Sequence, residues 1–261
     1  MELALALGLA VGLVMGLTGA GGGILAVPAL VFATGLTMSQ AGPVGLLAVG
    51  IGASMGAVMG LRAGTVRYRA ALLMAAGGIV MAPAGLWLAQ RMDMRWVTLL
   101  FAAVLMWIAY QTLRESLGKT TSGPPAQACL RQPDNGRFMW TRNCARALAA
   151  AGAVAGTLSG LLGVGGGFVL VPAMHRVTDL DTQSVVATSL AVIALISLAG
   201  AGASLSVGGL RLDVALPFSV GIVGGMIAAS FVGARLPASY LKRGFALICC
   251  VVAAGMVLKA L

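Results

Sequence analysis

The two stretches best suited to chemistry are near copies of each other: Gly16-Leu-Thr-Gly-Ala-Gly-Gly-Gly-Ile-Leu-Ala-Val-Pro28 and Gly160-Leu-Leu-Gly-Val-Gly-Gly-Gly-Phe-Val-Leu-Val-Pro172. Glycine in a helix interior costs about 1 kcal/mol per residue, so three in a row should break a helix. Pro28 and Pro172 each remove one more backbone donor. A helix that restarts after such a break presents unpaired N–H groups and the positive end of its dipole, and that terminus favours an anion. The expected chemistry is therefore anion recognition by backbone, with Gly21, Gly22, Gly23, Gly165, Gly166 and Gly167 as donors and Pro28 and Pro172 as hinges. A dinucleotide-binding glycine loop is excluded, because it needs an acidic residue about 20 positions downstream. The first acidic residue after Gly23 is Asp93.

Hydroxyls add further polar groups in the apolar runs, among them Thr18, Ser54, Thr157, Ser159, Thr188, Ser189 and Ser197. Most such hydroxyls bond back to their own helix. Thr188-Ser189 stands out as an adjacent pair in the segment after the second break. With Thr18 and Ser159, which flank the breaks, it completes the candidate binding set. Hydroxyls and free N–H groups suit an oxyanion, which offers only acceptors. Arg91 and Arg235 occupy corresponding places near helix ends and read as interfacial anchors. His175 lies at a segment end, and every Asp and Glu lies at or near one. No catalytic constellation, metal cluster or phosphate loop is visible, so neither an enzyme nor a cofactor is expected. Cys129 and Cys144 lie in or beside the long polar stretch, and Cys249 and Cys250 are adjacent in the last apolar run. All four read as free thiols.

The elements that must position these groups follow from composition. Of 261 residues, 59% are hydrophobic, 9% are charged and 38 are glycine, with a mean hydropathy of +1.00. A soluble domain is nearer 25% charged. Residues 3–61 contain no Asp, Glu, Lys or Arg, enough for at least two membrane crossings of about 20 residues each. Further apolar runs follow at Ala70–Gln90, Trp96–Leu113, Ala147–Met174, Thr182–Leu210, Val214–Ala234 and Gly244–Leu258. Eight hydrophobic segments result. They are continuous rather than alternating, so the fold class is an all-α polytopic membrane protein and not a barrel. The net charge of +10 belongs to the ends of apolar runs, where membrane orientation needs it, and not to nucleic-acid binding.

Shifting the chain by 144 positions aligns Gly12, Gly16 and Gly19 with Gly156, Gly160 and Gly163, Val27-Pro28-Ala29 with Val171-Pro172-Ala173, and Arg67 with Arg211. The chain thus reads as two homologous repeats of four segments, 1–113 and 146–261, joined by a basic linker at 114–145. Glycines at spacing four (Gly8, Gly12, Gly16; Gly152, Gly156, Gly160) read as helix-packing positions. If all eight segments cross, 11 Lys/Arg lie on the linker side and 6 on the other. If each Gly-rich segment is re-entrant, the repeats are inverted and the split is 13 to 4. The second obeys the positive-inside rule better. It makes the linker cytoplasmic.

A duplicated glycine device of this form, followed in the second copy by Ala187-Thr188-Ser189, resembles the sulfite exporter TauE/SafE family. The second repeat carries the likeness best, through Gly156, Gly160, Gly163, Gly165, Gly166, Gly167 and Pro172. The first departs from it, with Pro43-Val44-Gly45 where the hydroxyls would fall. The resemblance implies a multi-pass inner-membrane carrier of sulfur-containing anions such as sulfite or organosulfonates. The expected function is a secondary transporter of small anions by alternating access, with an anion channel of the same architecture as the alternative. Its expected partners are the anion and the lipid bilayer. The reading leaves room for a coupling ion and a homo-oligomer.

Overall fold

A computed structural model describes residues 2–18, 22–116, 129, 141–206, 211–232 and 238–260. These form ten α-helices: α1 (Glu2–Thr18), α2 (Ala26–Thr34), α3 (Met38–Arg62), α4 (Tyr68–Arg91), α5 (Met94–Ser116), α6 (Arg142–Leu162), α7 (Gly167–Val177), α8 (Thr182–Ser206), α9 (Leu212–Val232) and α10 (Ala238–Ala260). A 3₁₀ turn, Gly22–Leu25, leads into α2. The eight hydrophobic segments become ten helices because each Gly-rich segment is two helices. At 1.5 Å per residue, α2 and α7 are about 14 and 17 Å long, roughly half a bilayer core. Six described helices, α3, α4, α5, α6, α8 and α9, are long and apolar enough to cross a membrane. Large apolar side chains such as Val80, Trp87, Leu216, Val220 and Val251 face outward, as lipid contact requires.

The spaced glycines set the packing. Cβ atoms at Gly8, Gly12 and Gly16 of α1 would run into Phe218, Ile222 and the Met226–Ala229 stretch of α9. Those at Gly152, Gly156 and Gly160 of α6 would run into Met74, Gly78 and Ala82 of α4. Numbers rise together in both pairs, so α1 runs parallel to α9 and α6 parallel to α4. The α3–α8 pair is opposite in sense. Gly60 meets Ala187, Gly56 meets Leu190, Gly50 meets Leu198 and Gly200 meets Leu46, so these helices are antiparallel. They are also the most enclosed of the six spans.

Each break turns the chain back on itself. In a straight helix Gly166 would lie about 16 Å from Ala155, yet a Cβ at Gly166 would fall on the Ala155 carbonyl. Gly22 likewise lies against the backbone of Met15. The prolines are not at these turns. Pro28 sits in the first turn of α2 and Pro172 within α7.

The cysteines differ from expectation. Cys129 and Cys144 form a disulfide rather than free thiols, while Cys249 and Cys250 are free. The Cys129 N–H donates to Val177 O at 3.1 Å, which holds this part of the linker against the end of α7, beside the first turn of α6. The Thr141 hydroxyl caps that turn by accepting the Cys144 N–H at 3.1 Å. The two cysteines are 15 positions apart, a loop whose closure stabilises by about 3 kcal/mol in the chain-entropy account. Cys129→Ser with Cys144→Ser is therefore expected to lower the melting temperature in detergent. Equal melting of the oxidised and reduced wild type would contradict this.

Candidate functional site

The glycine breaks converge at mid-height of the α3–α8 pair. A Cβ at Gly23 would lie 3.1 Å from Val49 Cγ1 and 3.7 Å from Val164 O. One at Gly165 would lie 3.5 Å from the same Val49 atom and 3.3 Å from Ile193 Cγ2. Val49 is thus wedged between the two breaks, near the centre of α3, and Ile193 is near the centre of α8. The turn after α6 comes close to α3 where α3 carries Gly42 and Gly45. A Cβ at Gly163 would lie 2.6 Å from Gly42 Cα, and one at Gly45 would lie 3.5 Å from Gly163 O. Gly45, which stands where Ser189 falls at the 144-residue offset, leaves its side-chain space to this turn.

The second break is built from left-handed glycines. Gly163, Gly165 and Gly166 have φ of +70°, +78° and +65°, which residues with a Cβ adopt only at a cost. Gly163 ends α6, its N–H donating to Ser159 O at 2.8 Å. Gly166 is the N-cap of α7, and no side chain caps that terminus. Within the first turn of α7 the Val169 N–H donates to Gly166 O at 3.2 Å. At the first break the restart is the 3₁₀ turn through Gly22 and Gly23, both buried. Gly21 lies outside the described residues.

Six of the seven hydroxyls divide into three groups. Thr18, Ser54 and Thr157 donate to the carbonyls of Val14, Gly50 and Ala153 at 2.8, 2.7 and 2.9 Å, each within its own helix. Thr188 and Ser189 are fully buried but stand toward the other end of α7. Thr188 Oγ1 accepts the Arg67 N–H at 3.1 Å, and Ser189 Oγ donates to Met174 Sδ at 3.5 Å. Met174 is about 10 Å along α7 from Gly167. The Arg67 Nε is itself buried without a hydrogen-bond partner. Ser159 is buried in the last turn of α6.

Ser197 forms the third group alone. It is 0% exposed, its Oγ has no hydrogen-bond partner, and a Cβ at Gly165 would collide with that oxygen. From sequence Ser197 is one hydroxyl among several and does not enter the candidate binding set. The signal that could have found it is spacing: Ser189, Ile193 and Ser197 recur every fourth position on α8, so they share a face.

Charged groups stay outside this centre. The Arg91 guanidinium lies 4.1 Å over the Trp87 ring, both exposed, as an interfacial anchor would; Arg235 lies outside the described residues. His175 and Arg176 are exposed in the last turn of α7. Arg211 donates to Asp213 from Nε at 3.1 Å and Nη2 at 2.8 Å at the exposed start of α9. Among the described residues no three His, Cys, Asp or Glu side chains gather to hold a metal. What the centre offers is backbone N–H groups and one hydroxyl in apolar surroundings.

Comparison with known proteins adds an independent line. The family model described as "Sulfite exporter TauE/SafE" matches residues 4–256. A "Probable membrane transporter protein" of Xylella fastidiosa (strain 9a5c) is 30% identical over 181 residues, covering 69% of this chain and 64% of that protein. A protein of the same description from Xylella fastidiosa (strain Temecula1 / ATCC 700964) is 29% identical over 250 residues, covering 92% of this chain and 88% of its own length. The match thus spans slightly less than two thirds of the first relative. No solved structure matches the chain.

Proposed function

The chain belongs to the TauE/SafE sulfite exporter family, a family of membrane transporters, and on that premise we propose that it carries small sulfur-containing oxyanions or organosulfonates by alternating access. The observation that carries this reading is Val49, wedged between Gly23 of one break and Gly165 of the other. Two helix restarts meeting at mid-membrane put their dipoles on one point, and unwound backbone there must be buried in protein or line a cavity. The backbone groups at Gly21, Gly22, Gly23, Gly165, Gly166 and Gly167 bind the anion. Thr188 and Ser189, beside Arg67, lie on its route to one membrane face.

The repeats are inverted in this proposal. Eight crossings would make α3 and α8 parallel, whereas their contacts run antiparallel; re-entrant Gly-rich segments give each repeat three crossings and the observed sense. In that topology the linker is cytoplasmic and the protein sits in the inner membrane. The Cys129–Cys144 disulfide pulls the other way, since that compartment keeps thiols reduced. The charge asymmetry carries the assignment because it draws on all 17 Lys and Arg.

The test is counterflow in proteoliposomes. Sulfite or methanesulfonate on the far side should accelerate uptake of the labelled anion, with saturation. Large unitary currents without saturation would identify a channel instead. In the same assay Thr188→Ala with Ser189→Ala should slow flux; wild-type flux would remove both from the route.

A further inference from the structure

We propose that the Ser197 hydroxyl and the backbone N–H groups of Gly165, Gly166 and Gly167 form one buried subsite for a singly charged oxyanion, of the hydrogen sulfite or sulfonate type. The proposal rests on the carrier reading above and adds to it a side-chain ligand, a charge state and a stoichiometry.

Three observations carry it. Ser197 Oγ is fully enclosed and unpartnered, an arrangement that folded proteins avoid unless something else satisfies the group. It points at the break, because a Cβ on Gly165 would overlap it. The break lies at the N-terminus of an eleven-residue helix that no side chain caps, so an unpartnered hydroxyl and a helix N-terminus meet at the same glycines. The duplication does not repeat this arrangement. At the 144-residue offset, Ser197 falls on Ala53, which cannot donate. One anion per chain is the consequence, with its side-chain donor supplied by the second half alone.

Charge follows from the surroundings. Val49, Val164 and Ile193 enclose the glycines, and all three are buried. The basic residues of the described helices sit at helix ends, among them Arg62, Arg91, Arg114, Arg142 and Arg176. The cost of burying an ion grows with the square of its charge, while a helix terminus and a hydroxyl supply only partial positive charge. A dianion is thus disfavoured relative to a monoanion.

The test uses the full-length protein in detergent, with methanesulfonate as the permanent monoanion and sulfate as the dianion. Wild type should bind methanesulfonate and not sulfate, and should bind sulfite more weakly as pH rises through its second ionisation. Ser197→Ala should weaken methanesulfonate binding roughly ten- to a hundredfold, Ser197→Thr should retain it, and Ser54→Ala, whose hydroxyl serves its own helix, should be neutral. Without ligand, Ser197→Ala should melt at or above the wild-type temperature, since it removes an unpaired hydroxyl. Wild-type affinity in Ser197→Ala, or a lowered melting temperature without ligand, would overturn the subsite while leaving the carrier standing if counterflow persists. Sulfate binding as tight as methanesulfonate would overturn the charge state. Absence of any anion flux in wild type would remove the carrier reading and the subsite together.

Discussion

Gly156→Val is expected to unfold the protein or leave it barely assembled. Gly156 sits where α6 crosses α4, and a Cβ there would fall on the carbonyl and Cα of Gly78. Both contacting groups are backbone, so no rotamer change relieves the overlap and the two helices must separate. Overpacking in close-packed interiors costs 1–3 kcal/mol and occasionally more. About 3 kcal/mol or more is expected here, because van der Waals contact along the whole pair is lost and, in a bilayer, such contact is the main force between helices. Gly202→Ala and Gly224→Ala are the controls. Nothing lies within 4 Å of a Cβ at either, so each should gain about 0.5–1 kcal/mol from helix propensity. Thermal unfolding in detergent measures all three. Equal behaviour of the Gly156 and Gly202 variants would mean that α4 and α6 are not in backbone contact.

The second large effect is expected at the chain reversal. Gly166→Ala meets two penalties: a φ of +65° and overlap with the Ala155 carbonyl. The first alone costs about 1–2 kcal/mol. The second cannot be relieved without moving α7 away from α6, which displaces the N–H groups proposed to bind the anion. Anion flux should fall more than tenfold, on the order of 1.4 kcal/mol in function, with melting lowered as well. Gly35→Ala isolates the first penalty, since Gly35 has a φ of +68° with nothing within 4 Å. It should lose a little stability and keep its flux. If Gly166→Ala matched Gly35→Ala in both assays, the tight turn would not be what positions α7.

These contrasts show how much of the molecule is legible in its residues. The membrane class follows from composition, and the break positions follow from the cost of consecutive glycines. The spaced glycines of α1 and α6 are packing positions, but their periodicity says nothing about which helix they touch. The partners, α9 and α4, lie far away in sequence, so only the fold reveals them. The same holds for Thr188, whose hydroxyl accepts from a backbone N–H 121 residues away. A hydroxyl pair beside a break in sequence is therefore not a hydroxyl pair at the break in space. Ser197, a longer way down the chain, reaches Gly165 because α7 runs back along α8. The Cys129–Cys144 bond is equally hidden, since cysteine spacing does not specify pairing without the turn that brings Cys129 to the end of α7.

The glycine contacts described above have a consequence for how the chain can come into being. The closest helix pairs, α1 with α9, α4 with α6 and α3 with α8, each join one half of the chain to the other. Neither half encloses its own interior: α1 and α4 keep their tightest faces open until α9 and α6 arrive. The first half therefore waits in the bilayer as an incomplete object during synthesis, and its final shape is settled only when the second half is inserted. Two such halves made as separate chains would be mutual templates rather than independent domains. The proposed transport motion, for the same reason, must move these interlaced pairs as bodies and cannot simply draw the two halves of the chain away from each other.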